Sequence, residues 1–409
     1  MILDKLKEEN FGYKDELFNI PALFFADDGL LLAHSLDEAR RYIKTLVDTA
    51  KACGLDINMQ KSNILIFNKK EHPESIEDIG VTTEIRYLGV TITNKRNCFN
   101  KHKEESLMKA KKFANLMYST IAPAYNRVLI GKTFWKSYAM PSFMFASEII
   151  EYTKAELEVY QKIDNQVYRA ILEVPAYTAN AALRGEVGAS CSRMRDMKNK
   201  ILYVKHILQD GNELLRSIFL DQFYDRETKL IKLIKVYMKN LNINLQYIEN
   251  TNIKEIKNMI NEKDTEDWRK EVAKKKTLEI YNLYKINILE IKWFDNSYSS
   301  NIMVKARTDT LNLNWRMRHS GRDEACICGS ADSESMEHFI LECIIYNEIR
   351  RKYTFIQRPY VQDTKRLIAD ILLFLNPSED QIKERKSFML EIWNERQKKI
   401  KELENSEET

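Results

Sequence analysis

The chain has 409 residues, 44 % of them apolar, and its 64 basic and 60 acidic side chains leave a net charge of only +4. At about 150 residues per domain this length suggests two or three domains with a sizeable core, and the near balance of charge names no partner. Only 11 glycines and 7 prolines occur, well under half of the roughly 12 % usual share, which excludes collagen-like, disordered and all-β sandwich classes and predicts long helices. The longest apolar runs, near Ile20–Ala26 and Leu30–Ala33, fall far short of the roughly 20 residues of a membrane helix. The charged start, Met1–Gly12, lacks the apolar stretch of a signal peptide. Six cysteines, scattered apart from one cluster, fit a reducing compartment rather than a disulfide framework. A soluble, intracellular, mainly helical α+β protein is predicted.

Two short apolar runs flank Asp27-Asp28 and predict a β-hairpin with its carboxylates at the turn. Ser35 with Glu38 three positions on reads as a capping box, and Leu36, Ala39, Ile43, Leu46, Val47 and Ala50 follow at helical spacing up to Gly54, which suits a C′ position. Ser62–Phe67 reads as a buried strand, and Glu84–Thr93 alternates as a strand with a bend at Gly89. From Asn100 to about residue 240 the pattern is helical, with a Gly-containing break at Gly185–Gly188. Its first part carries Lys101, Lys109, Lys111, Lys112, Arg127, Lys132 and Lys136, interleaved with Phe113, Tyr118, Tyr125, Phe134 and Trp135, and a second basic run holds Arg193, Arg195, Lys198 and Lys200. Residues 241–299 read as an irregular or helical connector, and 300–409 as a separate unit ending in a charged helical tail over Ile382–Glu408.

Two constellations carry chemistry. Adjacent carboxylates at Asp27 and Asp28 would repel at low dielectric. A bound Mg²⁺, which takes carboxylate oxygens and keeps waters for substrate phosphates, relieves that repulsion; a solvated Asp-Asp-Gly turn is the plainer alternative. The second constellation is Cys326-x-Cys328 with His338 and Cys343. Three thiolates and an imidazole suit a closed tetrahedral zinc site, with a helix begun near Asp332 or Ser333 presenting His338; buried cysteines around a core histidine are the alternative. A basic helix with interleaved aromatics suits salt-sensitive phosphate contacts and stacking on bases, although such a charge run can equally be a solvated face.

The order Phe25-Ala-Asp-Asp28, helix, Gly54-Leu-Asp-Ile-Asn58, Lys61, Arg86-Tyr-Leu-Gly89 resembles the successive palm motifs of reverse transcriptases, and most of all those of LINE-type, non-LTR retrotransposons. The resemblance implies that Asp27 binds catalytic metal with Asp28 as its neighbour. It gives Lys61 the nucleotide phosphates or a proton for the pyrophosphate, and it places Tyr87, Leu88 and Gly89 in the primer grip. Pro141 with Ala146-Ser-Glu148, Val167–Leu172, Pro175 and Leu183-Arg-Gly-Glu-Val-Gly188 resemble the helical stretch that follows the palm in these elements. The Cys/His cluster, with Ala306-Arg-Thr-Asp-Thr-Leu-Asn-Leu before it and Tyr346 to Arg350 after it, resembles their C-terminal knuckle. The organisation implied is a partial palm over 1–95, a helical thumb-like nucleic-acid-binding region over 96–240, a connector over 241–299, and a zinc-knuckle region with a helical tail over 300–409. Zinc and, once the palm is complete, magnesium are the implied cofactors. RNA template, DNA primer and a longer polymerase chain are the implied partners, with no membrane, in nucleus and cytoplasm as a ribonucleoprotein.

The family's palm also needs an Asp on a strand well before the Asp-Asp hairpin, and only 26 residues precede Asp27. Asp4 and Asp15 lie in helix- and loop-like contexts. The expectation is therefore a C-terminal polymerase fragment, inactive alone, whose first 95 residues expose apolar surface and an unpaired sheet edge. The alternative is a non-catalytic RNA- or DNA-binding protein. A group II intron maturase, which shares the Ala-Asp-Asp turn, fits less well with a lone Cys/His cluster.

Overall fold

The computed structural model describes residues 2–14, 18–68, 73–121, 126–317, 321, 323–356 and 363–407. Among the described residues helices dominate and the strands form four small sheets, as an α+β, mainly helical chain poor in Gly and Pro should. Asp15 and Tyr125 lie outside the described residues. The chain divides into two compact units, both discontinuous in sequence.

The first unit comprises residues 1–109, 144–151 and 199–251. Its hub is the helix Leu36–Ala52, whose apolar face serves two small cores. Tyr42 and Leu46 pack with Leu6, Phe11, Ala22 and Leu31, while Leu36, Ile43 and Val47 pack with Ile64, Ile76, Ile79 and Val81. Ser35 caps the helix by accepting the Glu38 N–H at 3.1 Å. The Glu38 carboxylate reaches one residue further back than a capping box requires, to the His34 N–H at 2.7 Å and the Gly12 N–H at 3.4 Å. Gly54, at φ 74°, takes the left-handed C′ position, and the Leu55 N–H returns to the Ala50 carbonyl as in a Schellman ending. The strand expected to be buried is shorter, Asn63–Leu65, and at most half-buried; it pairs parallel to Ile79–Thr82, with Ser75–Ile76 antiparallel on the other side.

The second unit comprises residues 110–143, 152–198 and 252–409. The stretch read as a connector supplies helix Ile253–Ala273 and helix Glu279–Tyr284, whose Trp268 and Tyr281 are fully buried against Ala181 and Ala182. Gly185 is not a break. It lies inside helix Asn180–Val187, where a Cβ would stand 2.1 Å from the Tyr281 hydroxyl and 2.8 Å from the Trp268 ring; Gly188, at φ 67°, ends that helix. The charged tail is likewise a core element. Helix Glu379–Glu407 buries Phe388, Met389, Ile392 and Trp393 against Ile302, Met303, Phe339 and Tyr346.

Candidate catalytic hairpin and metal centre

Strands Ala22–Phe25 and Asp28–Leu31 form an antiparallel hairpin in which Phe25 pairs with Asp28. The two-residue loop is thus Ala26-Asp27, and Asp28 is the first residue of the returning strand rather than part of the turn. Ala26 takes φ 52°, a left-handed conformation that costs an L residue about 1–2 kcal/mol and that glycine usually occupies in such tight loops. Both carboxylates are exposed, and so are Leu23, Phe24 and Phe25, the last at 65 %. The two strands form a sheet of their own, so the expected apolar, edge-exposed hairpin is present.

The segment Glu84–Thr93 is a second hairpin rather than one bent strand. Glu84–Tyr87 pairs with Val90–Thr93 around Leu88-Gly89, both at positive φ, 46° and 84°, as a type I′ loop requires. Tyr87 is half-buried. Burial raises its phenol pKa, and the Asp28 carboxylate, within electrostatic reach, raises it further. Lys61 lies exposed just before strand Asn63–Leu65. The Asn58 side chain is spent on this turn, accepting the Lys61 N–H at 3.1 Å.

The predicted basic helix is Asn100–Ile121, followed by Arg127–Phe134. Much of its charge is already engaged. Lys101 pairs with Glu84 at 3.5 Å on the surface, Arg127 with Glu173 at 2.7 Å, and Lys132 with Glu290. Lys111, Lys112 and Lys136 are exposed, and Lys109 is half-buried. In the second basic run Arg195 is paired with Asp164 and the buried Lys200 donates to the Ser147 carbonyl at 2.8 Å. A single π-helical turn, Trp135–Ala139, interrupts the helix. It buries Trp135, whose Nε1 donates to Asp164 at 2.9 Å, while Tyr138, which the sequence reading passed over, joins Phe113 and Phe134 in an aromatic cluster with centroids 5.3–6.2 Å apart. Its spacing of four from Phe134 was the available signal.

The four predicted metal ligands do converge. The Sγ atoms of Cys326, Cys328 and Cys343 and a ring nitrogen of His338 all lie within 4.8 Å of one another. Tetrahedral zinc with Zn–S near 2.3 Å and Zn–N near 2.0 Å puts two sulfurs about 3.8 Å apart and a sulfur and a nitrogen about 3.5 Å apart. The Cys326–Cys343 sulfurs are 3.7 Å apart and Cys328 Sγ lies 3.5 Å from His338 Nε2, so the set fits one such ion. A tight turn presents the first pair: the Cys326 N–H donates to the Ala331 carbonyl and the Gly329 N–H returns to Cys326, with Gly329 at φ 69°. The helix carrying His338 starts at Met336, later than predicted. Ser335 caps it, accepting the His338 N–H at 3.1 Å. The other imidazole nitrogen, Nδ1, faces the Glu342 carboxylate at 3.5 Å, the outer-shell partner that commonly orients a metal-bound histidine. The hydrogen bond between Cys326 and Cys343, with burial, raises the Cys326 pKa, and the same bond lowers that of Cys343. Metal binding would take both sulfurs as thiolates and release their protons.

Residues 2–92 match the family model for reverse transcriptase (RNA-dependent DNA polymerase). This stretch is a reverse transcriptase segment. No curated protein matches the chain. The reverse transcriptase segment contains Asp27, Asp28, Lys61 and Tyr87–Gly89 and ends within the last strand of the second hairpin; the basic helix and the Cys/His centre lie beyond it. Among the described residues no helix is long and apolar enough to cross a membrane.

Proposed function

We propose that the chain is the C-terminal part of a LINE-type, non-LTR retrotransposon reverse transcriptase that binds nucleic acid but does not polymerise by itself. The observation that carries this reading is the hairpin that presents Asp27 in its loop and Asp28 at the start of its returning strand, within the segment matched by the reverse transcriptase family and within electrostatic reach of Tyr87. Asp27 and Asp28 would hold Mg²⁺, which would supply charge stabilisation for phosphoryl oxygens, and Lys61 would face the nucleotide phosphates. Among the described residues the only group of three or more ligating side chains is the Cys/His cluster, so these two carboxylates need a third from elsewhere, such as a longer polymerase chain. Tyr87, Leu88 and Gly89 would contact the primer end, and Lys101, Lys109, Lys111, Lys112 and Lys136 the duplex of RNA template and DNA primer. Arg127 and Lys132, already paired to carboxylates, would position helices in this region more than they would grip phosphates. The Cys326, Cys328, His338 and Cys343 centre would hold zinc as a nucleic-acid-binding knuckle, in a ribonucleoprotein of cytoplasm and nucleus.

Two measurements on the purified chain test the proposal. Fluorescence anisotropy with an RNA–DNA duplex is expected to show binding that weakens steeply with salt and does not require Mg²⁺; no binding at low salt would overturn it. Primer extension on an RNA template is expected to give no product, and extension above a vector control would overturn the inactivity.

A further inference from the structure

The second hairpin is held from one side by a histidine that no motif points to. His102, on helix Asn100–Ile121, is 2 % exposed. Its Nδ1 faces the backbone N–H of Thr91 at 3.4 Å, and its Nε2 faces the Phe145 carbonyl at 3.3 Å. A backbone N–H can only donate and a carbonyl can only accept. These partners therefore fix a neutral ring with a bare Nδ1 and the proton on Nε2. Phe145 closes the circuit from the other end, because its ring lies against the hairpin loop, 3.0 Å from where a Cβ on Gly89 would be. Thr91 is held a second time, through its hydroxyl, which donates to Glu105 Oε2 at 2.8 Å.

We infer that His102 is a positioning residue that clamps the Tyr87-Leu88-Gly89 hairpin between helix Asn100–Ile121 and the Phe145 segment, and that protonation of His102 releases the clamp. A second N–H, placed on Nδ1, would point at the Thr91 N–H and remove the bond between ring and strand. The groups facing the ring are Glu105 and Lys109 from its own helix and Arg86 from the hairpin strand. Burial depresses the imidazole pKa, the Phe145 carbonyl and Glu105 oppose this, and Lys109 and Arg86 depress it further; the net direction is down. With the folded value below the unfolded one, the clamp's stabilisation is complete above the unfolded pKa of about 6.5 and is lost as pH falls through that value toward the folded one. The consequence for primer contact rests on the function proposed above; the clamp itself does not.

Hydrogen exchange of the full chain tests the inference, with protection over residues 84–93 expressed relative to intrinsic rates so that the chemical effect of pH cancels. Between about pH 7.5 and about pH 5.5, wild-type protection there is expected to fall about tenfold more than in helix Lys154–Leu172. His102→Gln, whose amide can accept from Thr91 and donate to Phe145, is expected to keep the protection at both pH values. His102→Ala is expected to lose it at both. Wild-type protection that does not change with pH, or a His102→Gln variant that loses protection on acidification as the wild type does, would overturn the inference. Should His102→Ala fail to fold, the wild-type and Gln arms still decide. Failure of nucleic-acid binding alongside intact pH-dependent protection would count against the proposed function alone.

Discussion

Glu186 and Arg307, 121 positions apart, meet in a bidentate ion pair at the centre of the second unit. Arg307 Nε and Nη2 donate to the two carboxylate oxygens at 2.8 and 2.9 Å, and both side chains are almost wholly buried. Arg307 also donates through Nη1 to the Leu372 carbonyl at 2.7 Å and stacks over the Phe374 ring. The pair joins helix Asn180–Val187 to helix Tyr298–Arg307 in space.

Removing one partner leaves a buried charge uncompensated. Arg307→Ala is expected to destabilise the second unit by about 3–5 kcal/mol, read from urea unfolding followed by fluorescence. Substituting both residues with leucine is expected to recover a large part of that loss. Burial by itself would raise the Glu186 pKa, but Arg307 outweighs it and the net direction is down. The pair's contribution is therefore present above the ordinary carboxylate range and lost as pH falls below it. Wild type and Glu186→Gln should accordingly converge in stability on acidification, and a constant gap between them would count against the assignment.

Gly185 and Gly54 should respond to alanine for different reasons. At Gly185 the new methyl meets the Tyr281 hydroxyl and the Trp268 ring, so overpacking of about 1–3 kcal/mol or more is expected. At Gly54 nothing lies within 4 Å, but φ is 74°, so the expected cost is the left-handed strain of about 1–2 kcal/mol. Gly54→Asn should cost less than Gly54→Ala, because Asn tolerates that conformation, while Gly185→Asn should be worse than Gly185→Ala. Thermal melts of the four variants check this ordering.

Asp28 and Tyr87 offer a direct probe of how the two hairpins meet. Tyr87 titrates above the ordinary tyrosine value, through burial first and the Asp28 carboxylate second. Asp28→Asn should bring the phenol part of the way back down, as read from the tyrosine ring carbons by NMR. An unmoved titration would mean that the hairpins are not neighbours in solution.

The Cys/His centre should take one zinc ion per chain, and cobalt in its place should give the visible absorption of a tetrahedral thiolate site. Cys326→Ser and Cys343→Ser are expected to abolish that spectrum. Glu342→Gln should weaken metal binding by about tenfold, the lower end for an outer-shell partner, because this carboxylate is largely exposed.

Local chemistry was legible in the sequence and long-range pairing was not. The Ser35 cap, the Gly54 ending, the Asp27-Asp28 hairpin and the four converging ligands are all set by residues a few positions apart or by side chains of one chemical kind. Counting lysines and arginines, by contrast, gives the charge of a helix but not whether it is spent. Arg127 is engaged by Glu173 and Arg195 by Asp164, partners 46 and 31 positions away. Gly185 looked like a break because the rings that require it, Trp268 and Tyr281, come from a stretch whose Lys- and Asn-rich composition suggested a linker. His102 carried no motif, because its role depends on a carbonyl 43 positions on.

The loop between the second cysteine ligand and His338 contains Glu334, and this carboxylate is wholly buried. It accepts from Arg396 Nε at 2.7 Å and Nη2 at 2.6 Å, and from the Asn314 backbone N–H at 2.7 Å. Arg396 belongs to helix Glu379–Glu407, so the metal loop is anchored by a residue more than fifty positions beyond its last ligand. A shortened protein ending near residue 378 would keep every ligand and still leave Glu334 as a buried anion without its cation. Its metal affinity should drop along with its solubility. The Cys/His cluster is therefore not a detachable bead on the chain: its minimal boundary lies past Arg396, and any attempt to graft it elsewhere has to carry that helix with it.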